Sequence, residues 1–90
     1  MARINITPEQ VRQSAQQFKQ ASQQSQEIVN RLQSSVNTLG AEWQGMSKER
    51  FYQQFEQWKG SMTQFVQLLN QIGTEMDAIA ARLASADGQQ

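Results

Sequence analysis

The sequence predicts an all-α protein, a long antiparallel helical hairpin that dimerises with a second hairpin into a four-helix bundle. Two extended apolar patterns advance in alternating steps of four and three residues, the spacing of a coiled-coil seam. A short segment with two glycines separates the two patterns. With 90 residues the chain has no room for a second domain. Residues 1–90 are therefore expected to form a single hairpin domain with short flexible tails at both ends.

The first helix is expected over residues 8–39. Thr7 suits the N-cap position, Pro8 suits the first helical position because its missing N–H costs nothing there, and Gln10 completes a capping box. Gly40 is predicted to close the helix as a left-handed C-cap. Two serines weaken the middle of the seam. The seam positions are Val11, Ala15, Phe18, Ser22, Ser25, Val29, Leu32, Val36 and Leu39.

Residues 40–46 form the predicted turn, and a connection this short makes the two helices antiparallel neighbours. Within the turn, Trp43 places a large apolar surface where solvation is expected. One interpretation is structural: the ring folds back to close the end of the hairpin, and Gly45 supplies a backbone conformation that other residues disfavour. The other interpretation is that the ring is displayed to a partner.

The second helix is expected over residues 47–85, with Ser47 as its N-cap, and it has the stronger pattern because every seam position is apolar. We assign the phenylalanines and methionines of this seam to the core. Gly60 and Gly73 lie inside the helix, cost it about 1 kcal/mol each, and are candidates for a close helix approach or a bend. The seam positions are Phe51, Phe55, Trp58, Met62, Phe65, Leu69, Ile72, Met76, Ile79, Leu83 and Ala86.

Apolar residues outside these seams predict a partner. A lone hairpin buries one stripe of each helix, which offsets little of the conformational entropy lost on folding. Another hairpin would bury the second face; a two-fold homodimer is the default assembly, and a heterodimer with a related hairpin stays open. The residues concerned are Ile28, Tyr52, Val66, Leu68, Ala21, Ala80 and Ala84.

Composition excludes several classes of function. Eight basic and eight acidic residues balance, so neither nucleic acid nor an anionic membrane is an expected partner. The absence of His and Cys removes the usual acid–base and metal-binding side chains, so we expect no catalytic residue, no metal site and no cofactor. No apolar run could span a bilayer, and the N-terminus lacks the apolar core of a cleavable signal peptide.

The turn sequence Trp43-Gln44-Gly45, near the midpoint of a short helical chain, resembles the WXG family of small secreted bacterial proteins, the early-secreted-antigen-like group. The resemblance covers Ile4 to Leu83. It implies an antiparallel homodimer or heterodimer of hairpins that is cytoplasmic before export by a type VII (ESX-like) secretion system of Gram-positive bacteria and mycobacteria. It also implies that Trp43 and Gly45 form a secretion motif and that the secretion ATPase is a partner.

Members of this family tend to carry a C-terminal export signal, Tyr followed four residues later by Asp or Glu. In this sequence Leu83 stands where the family has Tyr, and Asp87 supplies the acid. Tyr52 and Glu56 fit the spacing but lie at the wrong end of the second helix. The chain either carries a degenerate signal of its own at Leu83 and Asp87 or relies on the signal of a partner.

These observations favour a non-enzymatic, secreted dimeric protein that acts as an effector or as a co-secreted partner. The first alternative is an intracellular chaperone or targeting adaptor whose apolar stripe holds a larger toxin with a similar helical domain. A membrane-active protein is less favoured because interfacial helices usually carry Lys and Arg opposite the apolar side. An enzymatic role comes last, for want of a site.

Overall fold

The structure is a computed structural model that describes residues 6–88, with the side chains of residues 6–86, and it contains two antiparallel helices. α1 spans Pro8–Gly40 and α2 spans Met46–Gly88. The hairpin measures 68 × 23 × 15 Å. The predicted hairpin is thus confirmed, with α2 over 46–88 instead of 47–85. Neither helix has a stretch that is long and apolar enough to cross a membrane, as far as the described residues extend.

The start of α1 follows the sequence prediction. Thr7 has an extended backbone, and its Oγ1 accepts a hydrogen bond from the Gln10 backbone N–H at 3.2 Å. In return, the Gln10 Oε1 accepts a hydrogen bond from the Thr7 N–H at 2.9 Å. Pro8 occupies the first helical position. This capping box satisfies backbone donors that the first turn leaves unpaired, so it fixes where the helix begins.

Two predicted helix caps are wrong. Gly40 is not left-handed; it lies in the last turn of α1, and the C-cap is Ala41 with φ −62°. A Cβ atom on Gly40 would lie 1.7 Å from the Tyr52 hydroxyl, so glycine is needed there for space and not for its backbone freedom. Ser47 lies inside the first turn of α2, which begins at Met46. Its hydroxyl does not cap the helix and instead accepts a hydrogen bond from the Trp43 side chain.

The seam between the helices is rotated relative to the predicted seam of α2. Both seams share Phe55, Met62, Leu69, Met76 and Leu83, which are buried or half-buried. The remaining contacts with α1 come from residues one position later than predicted, so the centre of the seam is rotated by about 50° around the helix. These residues are Tyr52, Lys59, Val66, Gly73 and Ala80.

Several residues predicted for the seam are therefore not in it. Phe65 is 46% exposed and Trp58 is 36% exposed, so the assignment of Phe65 to the core of the hairpin is wrong. In α1, Leu32 and Leu39 are also exposed, while the buried seam positions include Val29. The physical reason is that the apolar stripe of each helix is wider than the other helix can cover. Side chains on one border of the stripe therefore stay exposed.

The helices approach closely towards the open end of the hairpin. Ala15 and Ala80 are fully buried. A Cβ atom on Gly73 would lie 3.0 Å from the Ala15 carbonyl oxygen and 2.8 Å from the Lys19 Cγ, so Gly73 permits a close helix approach. A Cβ atom on Gly60 would meet nothing within 4 Å, so Gly60 does not mark such an approach.

Candidate interaction site

The turn is held by the backbone conformation of one glycine. Gly45 has φ +106°, the only positive φ among the described residues. Residues with a side chain rarely adopt this backbone conformation, so the turn requires glycine at this position. The Gly45 carbonyl accepts a hydrogen bond from the Lys48 N–H at 3.1 Å, which joins the turn to the first turn of α2.

The Trp43 side chain is half-buried between the turn and α2. Its Nε1 donates a hydrogen bond to the Ser47 Oγ at 3.3 Å, and its ring centroid lies 5.2 Å from that of Phe51. On its outer side, Trp43 lines a surface groove with Leu39 and Glu42. The two interpretations of this residue are compatible, because one side of the ring packs on the hairpin while the other stays accessible.

Aromatic rings continue from the turn along α2. The Phe51 and Phe55 centroids are 6.3 Å apart, and those of Phe55 and Trp58 are 5.4 Å apart. These separations are within the range of favourable aromatic pairs. The row connects Trp43 to Trp58 and fixes the indole of Trp43 relative to the helix.

Beside this row lies a surface that we name the apolar edge of the hairpin. Its side chains are half-buried or exposed, Leu39 and Leu68 by more than half. In its turn half, Leu32 and Leu39 of α1 and Phe51 and Trp58 of α2 flank an open groove of about 330 Å³. A monomer rarely exposes so continuous an apolar strip, so this edge is a candidate docking surface. The apolar edge consists of Ile28, Leu32, Leu39, Phe51, Trp58, Phe65, Leu68, Ile72 and Ile79.

The opposite side of the seam, which we name the polar edge, is closed by side-chain bonds. Lys19 forms an ion pair with Asp77. The Lys59 Nζ donates to the Gln33 Oε1 at 2.8 Å, and the Lys48 Nζ donates to the Gly40 carbonyl oxygen at 2.8 Å. The polar edge consists of these three contacts: Lys19–Asp77, Lys59–Gln33 and Lys48–Gly40.

Sequence reasoning missed the polar edge, although its signal is present. Lys19, Gln33 and Gly40 each follow by one residue a predicted seam position of α1, and they recur at multiples of seven. The last turn of α1 has no basic residue of its own. Lys48 supplies a positive charge there, which is favourable at the C-terminus of a helix. Next to it, the Tyr52 hydroxyl donates to the Val36 carbonyl oxygen at 3.2 Å.

The weakest predicted part of the α1 seam is compensated by a hydrogen bond. Ser22 is buried, and its Oγ donates to the Val66 carbonyl oxygen at 2.9 Å. A buried hydroxyl without a partner would cost free energy, whereas this one ties α1 to α2 at mid-length.

The candidate C-terminal signal is described only in part. Leu83 is half-buried, and the side chain of Asp87 lies outside the described residues. Tyr52, which with Glu56 matches the spacing of the export signal, donates a hydrogen bond to α1 through its hydroxyl. Within the described part of the chain, no group of three His, Cys, Asp or Glu side chains could hold a metal ion.

Comparison with known proteins shows similarity along the whole hairpin. The family model "Proteins of 100 residues with WXG" matches residues 3–88. Type VII secretion system extracellular protein A of Staphylococcus aureus is 32% identical over 89 residues, which cover 99% of this chain and 92% of that protein.

Two solved structures have the same fold. The secreted protein EsxB of Bacillus anthracis matches with a TM-score of 0.86 and 36% identity, over 97% of this chain and 99% of that chain. EsxA of Geobacillus thermodenitrificans matches with a TM-score of 0.88 and 33% identity, over 97% of this chain and 95% of that chain. The likeness therefore extends well beyond the turn.

Proposed function

Because this chain belongs to the WXG100 family, we propose that it is a non-enzymatic substrate of a type VII secretion system, exported as a dimer of hairpins. The observation that carries the proposal is the turn itself. Trp43 and Gly45 stand at the family's motif positions, at the end of a hairpin that matches a type VII extracellular protein over 99% of its length. The chain would be cytoplasmic before export.

The apolar edge supports the dimer. In its turn half, Leu39 and Trp58 are bulky and stand beside an open groove. On α1, Ala21 and Ser14 stand seven and fourteen residues before Ile28, so the α1 side of this edge continues with small residues towards the open end, whereas α2 keeps Ile72 and Ile79 there. A second copy in antiparallel orientation would place the small α1 residues of one copy's open half against the bulky turn half of the other copy. A parallel copy would set bulk against bulk.

A second copy of this chain is the partner we favour over a related hairpin. Two-fold homodimers are the commonest assembly, and the edge carries its own size complement. A related hairpin that forms a tighter heterodimer is the competing partner. Mixing the purified chain with such a hairpin, followed by native mass spectrometry, distinguishes the two assemblies.

For recognition by the secretion ATPase, we propose the accessible side of Trp43. Its indole is fixed by Ser47 and Phe51, so binding would cost little side-chain entropy. Leu83 and Asp87 would supply the C-terminal element. In an antiparallel dimer, the tail of one copy lies near the turn of the other, so the two elements would form one composite surface.

The test is export from the native host with and without the type VII membrane ATPase. We expect the protein in the culture supernatant only when the ATPase is present. Trp43→Ala and Leu83→Ala should each lower export about tenfold, the order expected when an anchoring side chain is lost. Gln44→Ala changes the exposed middle position of the motif and is the matched control, which should be exported normally.

The alternative function is an intracellular adaptor that holds a larger toxin. The exposed apolar edge favours it, since the same surface could bind a client with a similar helical domain. Retention in the cell in both strains would refute the proposed secretion and place the adaptor first. An adaptor should also be insoluble or unstable when expressed without its client, whereas a self-sufficient dimer should not.

A further inference from the structure

Met46 belongs neither to the seam nor to the apolar edge. Met46, the first residue of α2, is 79% exposed, more than any other large hydrophobic side chain of the described residues. At about 100° per residue, Met46 points about 120° away from Tyr52 in the seam and about 120° away from Trp58 on the apolar edge. α1 does not cover Met46.

The other two methionines of the described residues have a different setting. Met62 and Met76 are half-buried in the seam between the helices. A thioether is oxidised by hydrogen peroxide when its sulfur can be reached: a sulfur lone pair attacks one peroxide oxygen, the O–O bond breaks, and the other oxygen leaves as water. The product is methionine sulfoxide, a polar side chain that sulfoxide reductases can reduce again.

We propose that Met46 is a redox modification site beside the turn and that its sulfoxide weakens docking of the turn to a partner. Met46 directly follows Gly45, so the new S=O dipole would stand on the exposed surface at the start of α2, beside the turn. The helix would persist, because the side chain makes no core contact that oxidation could break. The docking half of the proposal rests on the proposed function; the site itself does not.

The first experiment treats the full, folded protein with hydrogen peroxide and follows each methionine by peptide mass spectrometry. We expect Met46 to be oxidised about tenfold faster than Met62 and Met76, with unchanged helicity by circular dichroism. In denaturant the three rates should become equal, which assigns the difference to the fold. Equal rates in the folded protein would overturn the site.

The second experiment measures export of two variants in the host. Met46→Gln introduces a polar side chain of similar length, while Met46→Leu is the matched apolar control. We expect Met46→Gln to be exported several-fold less than wild type and Met46→Leu to be exported normally. Equal export of both variants would overturn the effect on docking. If the wild-type protein is not exported at all, the proposed function fails, and the oxidation rates still decide the site.

Discussion

The two edges of the helix interface differ in the kind of side chain they carry, and therefore in what each can specify. On the polar edge, three lysines each bond to one defined oxygen atom on the other helix, either in the backbone or in a side chain. Such bonds are satisfied in one register of the hairpin only. On the apolar edge, aliphatic and aromatic side chains remain half-exposed, and they accept any partner of complementary shape. One side of the helix interface thus fixes the register of the hairpin, and the other side keeps apolar side chains exposed.

The two edges also differ in the free energy they can supply. Burying one large apolar side chain contributes about 1.5–3 kcal/mol, whereas a solvent-exposed ion pair contributes about 0–1 kcal/mol. Changes on the apolar edge should therefore affect association strongly. Changes on the polar edge should affect stability weakly, and changes at the close helix approach should have intermediate effects.

The largest effect is expected from Trp58→Glu. Trp58 ends the aromatic row and flanks the groove of the apolar edge, so a charge there would be buried without a partner in the dimer. We expect the dimer dissociation constant to rise about 100-fold, or about 3 kcal/mol, as for the loss of an anchoring tryptophan. Sedimentation equilibrium measures this constant.

The matched control for this variant is Gln57→Glu. It places the same charge one residue away, at an exposed position outside the apolar edge. This control should remain dimeric, and circular dichroism should show both variants helical. An unchanged dissociation constant for Trp58→Glu, with helicity intact, would mean that the apolar edge is not the dimer interface.

An intermediate effect is expected at the close helix approach near the open end. Gly73→Ala places a Cβ atom against the Ala15 carbonyl oxygen. Overpacking costs about 1–3 kcal/mol, and the better helix propensity of alanine offsets about 1 kcal/mol. We expect the free energy of unfolding to fall by about 1 kcal/mol, measured by urea denaturation at a fixed protein concentration.

Gly60→Ala, on the same helix, is expected to stabilise the protein, whereas Gly73→Ala should destabilise it. No atom lies within 4 Å of its added Cβ, so only helix propensity acts, and the free energy of unfolding should rise by about 0.5–1 kcal/mol. If both variants were stabilised equally, the approach of α1 to Gly73 would not constrain the fold.

The sequence predicts the hairpin well because its signals are local. The capping box at Thr7 and the heptad spacing of both helices act within a few residues, and both are found in the structure. The rotation of the α2 seam is not predictable in the same way. Two sets of positions, one with Phe65 and one with Val66, both follow steps of four and three, and only the packing of α1 selects between them.

In the candidate site, too, local features were predictable from the sequence and contacts with the other helix were not. The positions of Trp43 and Gly45 in the turn follow from the sequence, since a glycine beside a tryptophan in a short connection favours a turn. The role of Gly40 does not, because it depends on the hydroxyl of a residue in the other helix. The polar edge was not predicted because the spacing of Lys19, Gln33 and Gly40 along α1 does not identify their partners on α2.

The smallest effect is expected from the ion pair between Lys19 and Asp77, which a double-mutant cycle isolates. The two side chains are 32% and 37% exposed, so water screens their attraction. With Lys19→Met, Asp77→Asn and the double variant, we expect a coupling free energy below about 1 kcal/mol that shrinks as salt is added. A coupling above about 2 kcal/mol that resists salt would show that the polar edge stabilises the hairpin directly, and its role could then no longer be limited to fixing the register.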